Sequence, residues 1–196
     1  MATLPATGLS AEQYLELDRH SERRLEYRHG EVFPIEAATL NHARIRGNFL
    51  TALRARLLIG ACEALPGDIR VEIPRFNCYV YPDLLIASGT LELADKHADT
   101  LLNPTVVVEV LSPSTEGFDR GEKFTLYQSL PSVQEYVLIS QDRVLVELYR
   151  RQNDRQWLYE AISTLDAELA LNAPGCSVPL QEIYANISVA SPSLTA

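Results

Sequence analysis

Apolar and polar residues alternate with two different periods along this chain. Ser10-Ala11-Glu12-Gln13 has the spacing of a capping box, and Tyr14-Leu15-Glu16-Leu17 carries a helix forward from it. Arg28-His29-Gly30-Glu31 reads as a turn. Residues 31–36 then read as a short strand, in which Pro34 marks an edge or a bulge. Thr39 can cap a long helix over 40–59, with Leu40, Ala43, Phe49, Leu50, Leu53, Leu57 and Leu58 at helical spacing and Gly60 ending it. Beyond it the period shortens. Strands are predicted over 68–73, 83–87 and 106–111, with 76–81 a strand or a loop. Phe124, Tyr127 and Leu130 restore helical spacing over 118–130, and Pro131 stops it. Residues 135–140 and 144–149 form a hairpin about Gln141-Asp142-Arg143, followed by strands at 157–163 and near Leu169. Residues 88–103 read as a polar, partly disordered connection.

This order of helix, helix, strands, helix, strands predicts an α/β fold of the α+β kind: a central mixed β-sheet flanked by helices. It lacks the regular alternation of a doubly wound nucleotide fold, and no glycine-rich phosphate motif is present. One domain is expected over 10–187, with flexible tails at 1–9 and 188–196.

Composition narrows the picture. With 46% hydrophobic and 22% charged residues the chain is ordinary for a globular protein. No apolar run reaches the ~18 residues of a membrane span, and the N-terminus lacks a signal-peptide pattern. Cys62, Cys78 and Cys176 are odd in number and widely spaced, against a disulfide framework or a thiolate zinc site. These features point to a cytoplasmic protein. The net charge of −9 is unfavourable for a nucleic-acid binder. Yet Arg19, Arg23, Arg24 and Arg28 crowd one segment, and Arg44, Arg46, Arg54 and Arg56 the next. The simplest expectation pairs these arginines with Glu12, Glu16, Glu22 and Glu26 on a solvated helix face.

The candidate chemistry lies in the middle of the chain. Asp83 follows Pro82 and so stands near a strand end. Glu109 is the only polar residue between Thr105 and Ser112, and alternation points it to the face of Val107 and Leu111. A carboxylate among valines is costly unless compensated; a core glutamate satisfied by an arginine or a hydrogen bond is the plainer reading. Two neighbouring carboxylates can both stay ionised around a divalent cation. Lys123 follows a Ser112-Pro113-Ser114-Thr115 loop and shares a helical stripe with Asp119 and Tyr127. A surface ion pair between Asp119 and Lys123 is the plainer reading there. His42 lies beside a helix N-terminus and reads as a structural or supporting residue rather than a metal ligand.

Tyr81-Pro82-Asp83, the string Val107-Val108-Glu109-Val110-Leu111-Ser112-Pro113-Ser114-Thr115, then Asp119, Lys123, Tyr127 and Gln134-Glu135-Tyr136 together resemble the Uma-two family, whose fold is the PD-(D/E)XK, restriction-endonuclease-like one. The resemblance runs from about Ser10 to Ala185. It implies a metal-dependent endonuclease with DNA as substrate. Asp83 and Glu109 would be the metal-binding carboxylates, helped by the Val110 carbonyl, and Lys123 the catalytic lysine. The cofactor would be Mg²⁺ or Mn²⁺, with His42, Ser112, Asp119 and Tyr127 in support. The general nuclease pattern places its lysine two residues after the glutamate, where this chain has Leu111. Glu31 or Glu36 is a candidate further carboxylate. A nuclease fold that binds or scaffolds without catalysis is the alternative, and a hydrolase of a small phosphorylated molecule in a closed pocket a third. A homodimer through the 135–149 hairpin and the Trp157 strand would suit a duplex cutter.

Overall fold

The computed structural model describes residues 8–57 and 61–188; Leu58, Gly60 and most of both expected tails lie outside them. Ser10 caps helix α1 (Ala11–His20) with the reciprocal Gln13 bond that the sequence predicts. Strands β1 (Leu25–Arg28) and β2 (Glu31–Pro34) follow, joined at His29-Gly30. Both turn residues have positive φ, 52° and 87°, which suits a type I′ hairpin. Pro34 indeed lies on an edge strand. Thr39 caps helix α2 (Leu40–Arg56), whose buried face is Ile45, Phe49, Ala52 and Leu53. Leu40 and Ala43, expected in that face, are exposed. Phe49 and Leu53 are buried as expected and Leu50 and Leu57 pack on the same core, so only the N-terminal end of the stripe, ahead of Ile45, stays uncovered.

Next come β3 (Cys62–Pro66), β4 (Arg70–Ile73), β5 (Cys78–Val80), β6 (Leu84–Ser88), β7 (Thr100–Leu101) and β8 (Val106–Leu111). A helical connection runs through α3 (Glu116–Phe118), a π-helical turn (Asp119–Lys123) and α4 (Phe124–Gln128). Strands β9 (Glu135–Ser140), β10 (Val146–Asn153), β11 (Gln156–Ile162), β12 (Glu168–Leu171) and β13 (Cys176–Pro179) complete the order with α5 (Leu180–Ile183).

The principal sheet runs β11-β10-β9-β8-β6-β3, with β8 and β9 parallel and its other pairs antiparallel. A second sheet runs β2-β1-β5-β4-β7, and β12 pairs with β13. The fold is therefore mixed α/β, with mixed sheets flanked by helices. Helix α2, β12, β13 and α5 cover one face of the principal sheet, against Val106, Val108 and Val110. The second sheet and α4 cover the other, against Val107 and Leu111. β8 thus carries six buried residues in a row, as a strand covered on both faces must.

Two expectations fail in this frame. Residues 88–103 are not partly disordered: they contain β7, and Asp95 and Asp99 bind Arg19 at 2.9 and 2.8 Å. The clustered arginines also do not pair with Glu12, Glu16, Glu22 or Glu26. Helix α1 ends at Ser21, so Arg23, Arg24 and Arg28 leave its face. Their carboxylates come from distant segments instead, Asp68 for Arg24 and Glu182 for Arg56, while Glu122 comes only within 4.0 Å of Arg28. All three cysteines are free.

Candidate active site

Asp83 stands immediately before β6, where that strand begins against β8. Its backbone N–H donates to the Val108 carbonyl at 3.1 Å. Its carboxylate then replaces the next ladder partner, with Oδ2 accepting from the Val110 N–H at 2.7 Å. The register that pairs Leu84 with Val108 puts Pro82 opposite Val110. Proline has no N–H, so the Val110 carbonyl, which points to the same side as its amide, receives no ladder bond from that position. Gly67 backs this corner: a Cβ there would collide with the Pro82 and Asp83 carbonyls. His42, in the first turn of α2, sets Nε2 3.1 Å from Asp83 Oδ2, and its Nδ1 is buried without a partner.

Glu109 projects from the other face of β8. Its Oε1 lies 2.9 Å from Lys123 Nζ and accepts from the Tyr127 hydroxyl at 3.3 Å. The π-helical turn brings Asp119 and Lys123 inward together, 3.7 Å apart and both buried. They are therefore no surface pair, since the helix lies flat on the sheet and turns this stripe into it. Thr115 donates to Asp119 Oδ2 at 2.7 Å, and Ser112 Oγ is 3.0 Å from Thr115 Oγ1. Lys123 also donates to the Tyr81 carbonyl at 3.1 Å and lies 3.4 Å from Glu26 Oε1.

Glu26, on β1, is the carboxylate that sequence reasoning missed. It is buried and accepts from the Tyr81 N–H at 3.0 Å. Its signal was the apolar alternation of Leu25 and Tyr27 around it, hidden in an arginine-rich stretch. Glu31 and Glu36 are both exposed and outside the cluster. They follow the hairpin turn on the edge of the second sheet, while Glu26 lies further inward on β1.

The cluster holds more acid than base. Burial pushes the Glu109 carboxyl well above its ordinary range; Asp119 and Asp83 add to this and Lys123 opposes it. Burial likewise raises Asp119, against Lys123 and Thr115. Burial alone would lower Lys123, but Glu109, Glu26 and Asp119 overcome it and keep the ammonium charged. Leu111, where the general pattern has its lysine, is buried on the same face as Glu109. Lys123 brings its charge to that face from the helix instead.

Among the described residues no three His, Cys, Asp or Glu side chains form a ready-made metal cage. Asp83 Oδ1 and Glu109 Oε2 accept no hydrogen bond there, and neither is a fully buried unpartnered atom. Two cavities lie away from this cluster. One of 330 Å³ is lined by Glu135, Arg150, Arg151 and Asn172. Its carboxylate is already satisfied by Arg150 and the amides of Asn172 and Ala173. No described helix is long and apolar enough to cross a membrane.

Residues 11–181 match a family model, Uma2, described as "Putative restriction endonuclease". The uncharacterized protein sll1609 of Synechocystis is 34% identical over 161 residues, covering 82% of this chain and 91% of the relative. The uncharacterized protein slr1290 of the same organism is 33% identical over 185 residues, covering 94% and 95%. Among solved structures, the fold matches a "putative nuclease belonging to DUF820" from Anabaena variabilis with a TM-score of 0.71. That match spans 90% of this chain and 97% of the other at 16% identity, so the likeness is one of fold.

Proposed function

The chain belongs to the Uma2 family, and from that membership we propose that it is a metal-dependent endonuclease hydrolysing DNA phosphodiester bonds. The observation that carries the proposal is the buried meeting of Lys123 with Glu109 beside the Asp83 strand end. Such an arrangement fits a PD-(D/E)XK site in which the lysine comes from the following helix.

The residues present suit a hard divalent cation. Asp83 Oδ1, Glu109 Oε2 and the Val110 carbonyl are oxygen donors of the type Mg²⁺ and Mn²⁺ prefer. The excess of buried acid favours an added positive charge. Asp83, Glu109 and Val110 would hold the ion, which when bound supplies Lewis-acid polarisation and an acidified water. His42 and the Val110 amide fix the Asp83 carboxylate from two sides. Tyr127 does the same for Glu109. Lys123 orients the attacking water and sets a fixed positive charge where the phosphoryl oxygens gain negative charge.

A second reading, a nuclease fold that binds without cutting, is favoured by one observation. The Lys123 ammonium already faces Glu109, the Tyr81 carbonyl and Glu26, which accounts for its three donors.

Incubating purified protein with DNA and Mg²⁺ or Mn²⁺, beside Asp83→Ala and Lys123→Ala, separates these readings. Cleavage by the wild type alone supports the endonuclease. Equal cleavage by all three points to contamination and removes the assignment. Mn²⁺ titration without binding at millimolar metal favours the non-catalytic reading.

A further inference from the structure

The acidic cluster and the net charge of −9 leave open how this protein would hold a polyanion. Most arginines near the site are already committed. Arg19, Arg70 and Arg120 each hold a carboxylate within 2.9 Å. Arg28 does not. It lies on β1 two residues beyond Glu26 and so on the same face of the strand. Its nearest carboxylate, on the half-exposed Glu122, is 4.0 Å away. Its Nε is buried and has no hydrogen-bond partner.

What holds Arg28 is a pair of rings. Its Cζ stands 3.8 Å over Phe33 and 4.1 Å over Phe118. The Phe118 ring also lies 6.0 Å from Lys123 Nζ, so one ring bridges the two cations. A guanidinium stacked between two phenyl rings is rigid, weakly hydrated and permanently charged. A buried donor without an acceptor costs free energy, and 16% of the side chain remains open to solvent. The planar fork of arginine matches two phosphate oxygens.

We propose that Arg28 is a substrate-binding residue whose guanidinium takes a backbone phosphate of the DNA at the mouth of the Lys123 site. The assignment rests on the endonuclease reading and adds to it the contact that seats the phosphodiester backbone. The competing role is cement, with the stacked guanidinium fastening the β1–β2 hairpin to the helix that carries Lys123.

Binding of a labelled DNA duplex, followed by fluorescence anisotropy across a salt series with Ca²⁺ present, separates the two. Arg28→Gln should bind about tenfold more weakly. Its slope of log affinity against log salt should fall by about one, the signature of one lost phosphate contact. Arg28→Lys should keep the slope. Phe33→Leu keeps the charge but loosens the stack, so it should weaken binding at an unchanged slope; it carries the test if Arg28→Gln does not fold. An Arg28→Gln protein with wild-type slope and affinity overturns the Arg28 assignment alone, as does wild-type affinity in Phe33→Leu. A wild type that neither binds nor cleaves DNA overturns the endonuclease reading and this assignment with it.

Discussion

Lys123 Nζ sits 2.9 Å from Glu109 Oε1, although one residue belongs to a π-helical turn and the other to the central strand β8. The contact is buried, and Asp119 and Glu26 crowd the same ammonium. Removing that ammonium leaves three carboxylates without their shared cation. Lys123→Met should therefore lower stability by roughly 3–5 kcal/mol, the usual cost of orphaning a buried charge, and abolish cleavage. Urea denaturation beside a cleavage assay checks both. A variant as stable as the wild type would show that the acids discharge by protonation instead.

Asp83 serves the fold and the proposed chemistry through different oxygens. Asp83→Asn keeps an acceptor for the Val110 amide but gives up the charge. It should stay within about 1 kcal/mol of the wild type while losing Mn²⁺ binding. Asp83→Ala leaves the Val110 amide unpaired and should cost about 1–3 kcal/mol as well. Calorimetric titration with thermal unfolding separates the two losses.

Gly67 tests the corner that presents Asp83. Gly67→Ala drives a Cβ into the Pro82 and Asp83 carbonyls. Backbone on both sides must move, at about 1–3 kcal/mol, and cleavage should fall although no polar group has changed. Undiminished cleavage would mean that the Asp83 corner tolerates displacement.

Metal binding should depend on pH in a definite direction. The Glu109 carboxyl is held above its ordinary range by burial, with Asp119 and Asp83 adding to it. It therefore keeps its proton to higher pH in the metal-free protein, and an arriving cation must expel that proton. Mn²⁺ affinity should rise with pH, with a proton released on binding. Calorimetry in buffers of different ionisation enthalpy reads the release directly. Buffer-independent heats would contradict it.

Acid stability has a separate source. Burial would raise the Asp99 carboxyl, but Arg19 and Arg70 overcome it and hold it at about 2, against an ordinary 3.8. A depressed carboxyl stabilises the fold above its unfolded value, and that contribution fades as pH falls from about 4 toward 2. Asp99→Asn should be destabilised at neutral pH and should lose less on acidification through that window. Parallel denaturation curves for the two proteins across it would remove Asp99 as the cause.

The local code was legible where one segment settles its own conformation. The Ser10 capping box, the Thr39 cap and strand β8 follow from spacing and apolar run alone. Strands β1 and β3 were not legible. Arginines mask the alternation in β1, and β3 follows the helix through Leu58–Gly60 with only a short apolar pair. In α2 the stripe through Phe49 and Leu53 is buried while Leu40 and Ala43 are exposed, because spacing fixes a stripe but not where the sheet beneath it begins.

Sequence by itself determined which groups are available: an aspartate after a proline, a glutamate in a valine strand and a lysine one loop later. Only the tertiary structure decided their company. Glu26 joins from a second sheet, His42 from a helix on the opposite face, and Lys123 reaches inward from the π-helical turn. The reason is range. Hydrogen bonding and alternation act over a few residues and are written locally. The field at a buried carboxylate is set by whichever charges folding brings within a few ångströms, however far apart they stand in the chain.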